Sequence, residues 1–357
     1  MTLLFTDTFA ISSAHIVAKW TLTTGTPVAN SLPLHTNGRG MTASGGSACT
    51  VRKQVAASEE HATFIAGAAF SISGAVSAET PLLDFMSDGA TTTHITVSLT
   101  GSSAAPARRV RVYLGGLGST LLTTTPVAYF PVNGVPYFLE AKVVLHDTNG
   151  SVVVKIDGVT IIDLQGIDTK AGGTKTVLDG IRLTPGTSSA YDPSISDFYL
   201  CNGAGSKNND FLNAPKIFCL LPNGNGNSSQ GTGSDGDSTD NYELVNDPLG
   251  FLNTSDYVDF LATGDKDTYT FTDTSGISTA NEVFGVGIYA HAQKNDAGAR
   301  TWVGVARSGS SESDTAAQPL TAATFTAPGG IIETKPGGGA WTVSDLHSME
   351  FGNKAGT

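Results

Sequence analysis

The chain has 357 residues, enough for two domains of ordinary size, each with its own core. Hydrophobic residues make up 39% and charged residues only 15%, against a usual charged share of about 25%; 42 glycines and an excess of Thr and Ser stand in their place. Normal hydrophobicity with low charge excludes global disorder, and Val, Ile, Thr and Gly in place of Leu-rich helical periods predict an all-β chain. The net charge of −12, from 20 basic and 32 acidic residues, argues against a nucleic-acid surface, which draws its affinity from phosphate neutralisation.

The N-terminus, Met1 to Phe9, has neither a basic segment nor a long apolar one, so no secretory signal is expected. No stretch reaches the roughly 18 apolar residues of a membrane-spanning helix, and no membrane insertion is expected. Cys49, Cys201 and Cys219 are too few and too irregularly spaced for a disulfide framework or a metal knuckle. Buried free thiols are expected, with a Cys201–Cys219 bridge as the alternative, and assembly in a reducing cytoplasm.

In chain order, β-rich runs occupy Phe64 to Ser73, Thr93 to Thr100, Arg108 to Leu114, Tyr137 to Leu145, Ser151 to Ile156, Val159 to Leu164 and Gly180 to Thr184. Turn residues separate them at intervals of about ten, the rhythm of a sandwich or barrel. Arg108, Arg109 and Arg111 form the one basic cluster. Strand alternation puts Arg109 and Arg111 on one face and Arg108 on the other, so a solvated edge strand is expected. Tyr137 to Leu164 is predicted to be a three-stranded meander. Asn149-Gly150 is read as a two-residue turn with positive φ at Gly150, and Asp157-Gly158 as a second tight turn.

The meander carries a resemblance. An aromatic-Leu-Glu strand, a His146-Asp147 turn, Val152-x-Val154-x-Ile156-Asp157-Gly158 and Ile162-Asp163-Leu164 resemble hairpins of concanavalin-like (laminin-G-like) jelly rolls. Phe5-x-Asp7-x-Phe9, Trp20 and the run Ile195 to Leu200 fit that fold's first and last strands, which pair side by side. Ser196 departs from the pattern, where relatives often carry Asp. The resemblance covers roughly residues 1–204.

Residues 205–210 read as a joint, rich in Gly, Asn, Ser and Asp. Phe198-Tyr199-Leu200, Asn208-Asn209-Asp210-Phe211-Leu212 and Leu221-Pro222-Asn223-Gly224 resemble a phrase of tailed-bacteriophage structural proteins. Residues 211–357 are predicted to be a second β-sandwich, with a long polar loop at 223–241. Its β-rich runs are Asn241 to Val245, Asp256 to Leu261, Asp267 to Thr272, Glu282 to Gln293, Arg300 to Arg307 and Ala340 to Phe351. Lys294 to Gly298 is read as a hairpin loop, and Thr342 or Ser344 as the cap of a short helical turn. This half, too, resembles the phage proteins, in its Lys-x-Asp-x-Gly hairpin and its Trp341-Thr-Val segment ending in Glu350-Phe351-Gly352.

No catalytic, cofactor or metal residue is assigned from the sequence. The glutamates never form the Glu-x-Asp-x-x-Glu strand of glucanases, whose carboxyls stand about 5 Å apart. Glu140, alone in mid-strand, is expected to pair with a cross-strand lysine such as Lys155. No Gly-x-Ser-x-Gly elbow occurs, and Asn223 to Asn227 lacks the Lys-Ser/Thr of a phosphate loop. His15, His35, His61, His94, His146, His291 and His347 are scattered singly. Asp235, Asp237 and Asp240 alternate as calcium ligands do, but the loop lacks the EF-hand Gly and Glu. Tyr113, Tyr129, Phe130 and Tyr191 near turns are candidates for stacking on sugars.

The two resemblances imply a non-enzymatic virion structural protein, a tail-associated fibre or adhesin touching the host surface. The alternatives are a head-decoration or head-fibre protein, a carbohydrate-binding lectin module and, last, a polysaccharide depolymerase. The expected partners are other virion proteins, further copies of the chain and a host-surface glycan.

Overall fold

The computed structural model describes residues 2–9, 11–31, 39–44, 48–72, 78–101, 108–129, 132–187, 193–271, 277–322 and 325–357. The chain is all-β, with several large antiparallel sheets, and divides into two compact units, Met1–Phe218 and Cys219–Thr357.

In the first unit an eight-stranded sheet runs in the order Val159–Ile167, Gly150–Ile156, Pro136–Val144, Thr63–Ile72, Pro193–Asn202, Arg39–Ala43, Pro27–Ser31. Leu3–Asp7 also pairs with Pro193–Asn202, so the first strand lies beside the last. A seven-stranded sheet runs Thr120–Thr124, Val110–Leu114, Thr92–Leu99, Thr80–Ser87, Gly180–Thr187, Ala48–Gln54, Leu22–Thr24. Inward residues of both sheets, such as Phe64, Leu139 and Val154 from one and Phe85, Val97 and Ile181 from the other, form a single core. That is a sandwich-like arrangement, with Thr63–Ile72 and Pro193–Asn202 buried on both faces.

Phe5, Phe9, Trp20 and Phe198 close one end of this core, with Phe5 and Trp20 edge to face at 5.2 Å. Trp20 arrives there on a helix, Ser13–Lys19, that the β-rich composition does not announce. Ser12 caps it by accepting from the His15 amide at 3.1 Å. Thr80–Ser87 is likewise an interior strand that the turn spacing misses.

The meander forms as read, with one correction. Asp157 (φ 49°) and Gly158 (φ 78°) make the two-residue turn of mirror-image type that suits twisted strands. Gly150, however, is not at positive φ; it is the first residue of its strand, opposite Ile167. Glycine is needed there for space, since a Cβ would stand 2.1 Å from Thr169 Oγ1 and 2.7 Å from the Val144 carbonyl oxygen. The basic cluster also differs from expectation. Val110–Leu114 lies inside its sheet, not at an edge, and Arg108 is fully buried, donating to Asn133 Oδ1 at 2.8 Å.

The second unit holds a six-stranded sheet ordered Pro222–Ser229, Lys266–Phe271, Glu350–Gly356, Thr301–Ser308, Ser311–Asp314, with Gln318–Pro319 beside Thr301–Ser308. Two two-stranded pairs accompany it, Thr232–Gly233 with Val258–Asp259 and Val286–Tyr289 with Gly329–Ile332. Trp302, Trp341, Phe351, Ile288 and Ile332 form its core. Much of the expected polar loop is therefore the strand Pro222–Ser229, held by Lys266–Phe271 despite its Asn-Gly content. Asn241–Leu244 is a 3-10 turn rather than a strand. Val286–Tyr289 pairs with Gly329–Ile332, so Lys294 to Gly298 does not join paired strands. The capped helix is present at Val343–Ser348: Thr342 Oγ1 accepts from the Asp345 amide at 3.2 Å, and Asp345 Oδ2 accepts from the Thr342 amide at 2.8 Å. No disulfide joins Cys49, Cys201 and Cys219.

Crowding at Gly150 gives a measurable expectation. Gly150→Ala will lower the first unit's stability by about 1–3 kcal/mol, the usual cost of overpacking. The cost will shrink in a Thr169→Ala background, because both clashing γ atoms of Thr169 are then gone. Urea unfolding of the four proteins reads the coupling; strictly additive losses would contradict the steric account.

Candidate functional site

Strand alternation puts Ile95, Val97, Val112, Phe85, Leu83, Ile181 and Val51 into the core, so their neighbours in sequence face outward. Register then places five of these outward residues in one row across the seven-stranded sheet. Tyr113 stands opposite Thr96, Thr96 opposite Asp84, Asp84 opposite Arg182, and Arg182 opposite Arg52. At the usual spacing of paired strands, four intervals make a strip about 19 Å long.

The strip has a sealed acidic floor and a basic rim. Asp84 is 0% exposed; it accepts from Thr96 Oγ1 at 2.5 Å and from Arg182 Nε at 2.7 Å. The Arg182 side chain remains 28% exposed. Arg52 turns one Nη to the Ala90 carbonyl at 2.6 Å. Two residues along from Thr96, Ser98 stands opposite Arg111, and both reach Glu79, which precedes the strand Thr80–Ser87. Glu79 Oε1 accepts from Ser98 Oγ at 2.6 Å; its Oε2 accepts from Arg111 Nη1 at 2.8 Å and from the Tyr113 hydroxyl at 3.1 Å. Arg111 Nη1 also lies 3.5 Å from the Tyr113 oxygen, and its Nε has no partner among the described residues.

These contacts move the titrations of the pair. Burial, and donation to Glu79, push the Tyr113 phenol above its ordinary pKa. Hydrogen bonds to Tyr113 and Glu79 raise Arg111 further, so its charge is permanent. The arrangement is a protonated phenol between a fixed cation and a carboxylate, which is a proton-transfer couple beside an anion-binding group.

A second polar chain on the same sheet looks catalytic and is not. Ser87 Oγ lies 2.7 Å from His94 Nε2, both residues buried. His94 Nδ1 accepts from the Ala171 amide at 3.2 Å, so the proton sits on Nε2 and is donated to Ser87, whose hydroxyl donates to Asp88 Oδ2 at 3.1 Å. The imidazole has no lone pair free for the serine proton. Burial also holds His94 below its ordinary pKa.

The residues considered in the sequence lie elsewhere, with one exception. Glu140 is on the outward face of the eight-stranded sheet, fully buried. It accepts from the Tyr199 hydroxyl at 2.5 Å and the Asn213 amide at 3.0 Å. Lys155 faces it in register but donates to Asn213 Oδ1 at 3.1 Å and lies over the Phe211 ring. Burial raises the Glu140 pKa. Tyr113 is the one aromatic candidate in the strip; at 6% exposure its ring is not open for stacking. Tyr129 packs against the core, while Phe130, Tyr191 and His35 lie outside the described residues. Asp235 and Asp237 accept from backbone amides within their own loop, and no cluster of metal-ligating residues occurs among the described residues. Asp84 and Arg182 were missed. Their signal is faint: single charges between apolar neighbours, Leu83-Asp84-Phe85 and Ile181-Arg182-Leu183.

No protein-family model and no curated protein matches the chain. Among solved structures the chain is similar to alginate lyase Aly36B, at 11% identity over 56% of this chain and 97% of that one, with a TM-score of 0.38. It is similar to an endo-β-1,4-glucuronan lyase from the fungus Trichoderma reesei, at 9% identity over 56% and 95%, TM-score 0.39. A carbohydrate esterase from the Shiga toxin-encoding bacteriophage phi24B matches at 16% identity over 56% and 97%, TM-score 0.38. These are carbohydrate-active enzymes, not virion structural proteins. They run against the expectation of a phage-particle component, fibre or decoration, without enzymatic activity. The phrase that suggested it consists mostly of Gly, Asn, Asp and Pro beside short apolar runs, the turn chemistry that any link between sheets needs.

The buried imidazole sets a pH dependence. The unfolded chain takes up a proton at His94 near its ordinary pKa while the folded chain resists, so stability is full above about pH 6.5 and falls as pH drops through and below it. In His94→Gln this part of the loss will disappear from thermal melts taken between pH 7 and pH 5; an unchanged slope would show that other groups carry it.

Proposed function

We propose that the first unit is a carbohydrate-active domain that holds an acidic polysaccharide across the outward face of its seven-stranded sheet. The observation that carries this reading is the convergence of Arg111 and Tyr113 on Glu79, in line with the row from Tyr113 to Arg52. A strip about 19 Å long matches an extended oligosaccharide better than a compact metabolite. Its half-exposed guanidiniums select carboxylated sugars over neutral ones, since charged, bidentate donors are wasted on hydroxyls. The chain's net charge of −12 does not prevent this, because charges beyond about 8 Å are screened at physiological salt.

The chemistry that suits the cluster is proton transfer at a uronate, opening the glycosidic bond by β-elimination. Arg111 holds the sugar carboxylate, Glu79 takes the proton from the carbon beside that carboxylate, a C=C bond forms as the glycosidic C–O bond breaks, and the Tyr113 hydroxyl gives its proton to the departing oxygen. Two-carboxylate hydrolysis is disfavoured, because Asp84 and Glu79 are each committed to an arginine. The sandwich itself fits the concanavalin-like pattern of the sequence, and the second unit is an accessory β-domain.

The test is incubation of the full chain with polyuronates, sulfated polysaccharides and neutral glucans, reading retention by affinity electrophoresis and unsaturated ends by ultraviolet absorbance. Polyuronate binding is expected to weaken about ten- to hundredfold in Arg111→Ala and Arg182→Ala, the loss typical of one charged hydrogen-bonding group. Tyr113→Phe will retain the polymer but lose the unsaturated ends. Preference for neutral glucan, or neither retention nor cleavage of any polyuronate, would overturn the proposal.

A further inference from the structure

The opposite sheet of the first unit carries a groove of about 440 Å³, a size usual for small-ligand sites. Its floor is the outward side of the meander, and strand register sets its two ends. At one end Gln165 stands opposite Ser151, and Ser151 opposite Val144. Two residues along, Val153 stands opposite Lys142, and Lys155 follows on the strand of Val153. Lys142 and Lys155 are therefore diagonal neighbours, about 7–8 Å apart along the sheet, and side chains of that length can reach one ligand group. Val144 and Val153 stay half-buried between the amide and the cations. Asp210 and Phe211, from the segment after Pro193–Asn202, form the wall.

Both cations are open to solvent and weakly partnered. Lys142 pairs with Asp210 at 3.2 Å, but the two side chains are 27% and 67% exposed, and exposed ion pairs contribute little. Lys155 has no carboxylate within ion-pair distance among the described residues. It donates to Asn213 Oδ1 at 3.1 Å, an uncharged and exposed partner, and stands 4.2 Å from the Phe211 ring centroid. Glu140, opposite it in register, gives Oε1 to Tyr199 and Asn213 instead. At the far end Gln165 is exposed and commits its amide nitrogen to Asp163 Oδ1 at 2.6 Å, which leaves its carbonyl oxygen as an acceptor. A cationic end, an apolar middle and a neutral polar end suit a ring that bears one carboxylate, a C–H face and hydroxyls.

We propose that this groove is a second saccharide site, separate from the strip, that takes one uronate unit of a short acidic oligosaccharide. The carboxylate lies between Lys142 and Lys155, the C–H face rests on Val144 and Val153, and ring hydroxyls donate to Gln165. Asp210 competes with the ligand for Lys142, and its displacement costs little. The choice of sugar rests on the reading of the first unit as carbohydrate-active; the groove itself owes nothing to the strip.

Titration calorimetry of the full chain with a tri-uronate, a neutral glucan trisaccharide and inorganic sulfate tests this. Lys142→Met combined with Lys155→Met keeps the side-chain stems and will weaken one tri-uronate site about tenfold or more, with thermal melts checking the fold. Asp210→Asn will tighten the same site about two- to fivefold, because a competing exposed ion pair is gone. Arg111→Ala will leave this site unchanged. A tri-uronate isotherm unaltered by the double lysine substitution, or no tri-uronate binding by the native chain, overturns the proposal. Sulfate or the neutral trisaccharide binding as tightly overturns it too. Loss with the lysines but not with Arg111→Ala leaves the groove standing and sinks the strip; the reverse sinks the groove and leaves the strip.

Discussion

A carboxylate sealed in the face of an antiparallel sheet has to be neutralised where it stands, and Asp84 shows how far that requirement reaches. It lies in the central part of the seven-stranded sheet, with no solvent to hydrate it. Leaving it unpaired would cost several kcal/mol, more than most single interactions contribute. Arg182 on one neighbouring strand and Thr96 on the other supply the charge and the hydrogen bond. That demand aligns three strands in one register, and the alignment sets Tyr113 and Arg52 at the ends of the same row. Glu79 repeats the solution one step along, with Arg111, Ser98 and Tyr113.

Asp84 holds Arg182 by Nε and Glu79 holds Arg111 by Nη1, so each guanidinium is fixed in position while part of its side chain stays exposed. Such preorganisation is what recognition of an anionic polymer needs, because little side-chain entropy remains to be lost on binding. The eight-stranded sheet uses a buried acid differently. Glu140 is closed over by Tyr199 and by backbone amides of the segment after the last strand; Leu212 and Asn213 donate to Tyr199 and Glu140. Asp197, in a bulge at φ 49°, takes the Ile217 amide at 2.9 Å. There the acid fastens chain to sheet and presents no cation. On one outward face the acids leave their arginines part-exposed, and on the other the acid is covered by the protein's own backbone.

Most of what is local in this protein is legible in its sequence. β-Rich runs bounded by turn residues locate the strands Thr63–Ile72, Thr92–Leu99, Pro136–Val144 and Thr301–Ser308 to within a residue or two. Asp157-Gly158 declares its turn because only residues tolerant of positive φ fit there, and Thr342 declares a helix cap. Alternation also tells that His94, Thr96 and Ser98 share a face. These properties depend on neighbours within a few positions, so the text of the chain determines them.

Register, crowding and proton position were settled by the tertiary structure alone. Nothing within ten residues of Thr96 says that it stands between Asp84 and Tyr113, since pairing is decided by how whole strands fill one core. Gly150 reads as a turn glycine until Thr169, nineteen residues on, is seen to occupy the space of its side chain. Asn-Gly repeats predict a loop at Pro222–Ser229, and pairing with Lys266–Phe271 makes a strand of it. His94 acquires its tautomer, with the proton toward Ser87, from the backbone amide of Ala171. The reason is common to all four. Local preference is worth about 1 kcal/mol per residue, and contacts from distant strands supply enough to override it.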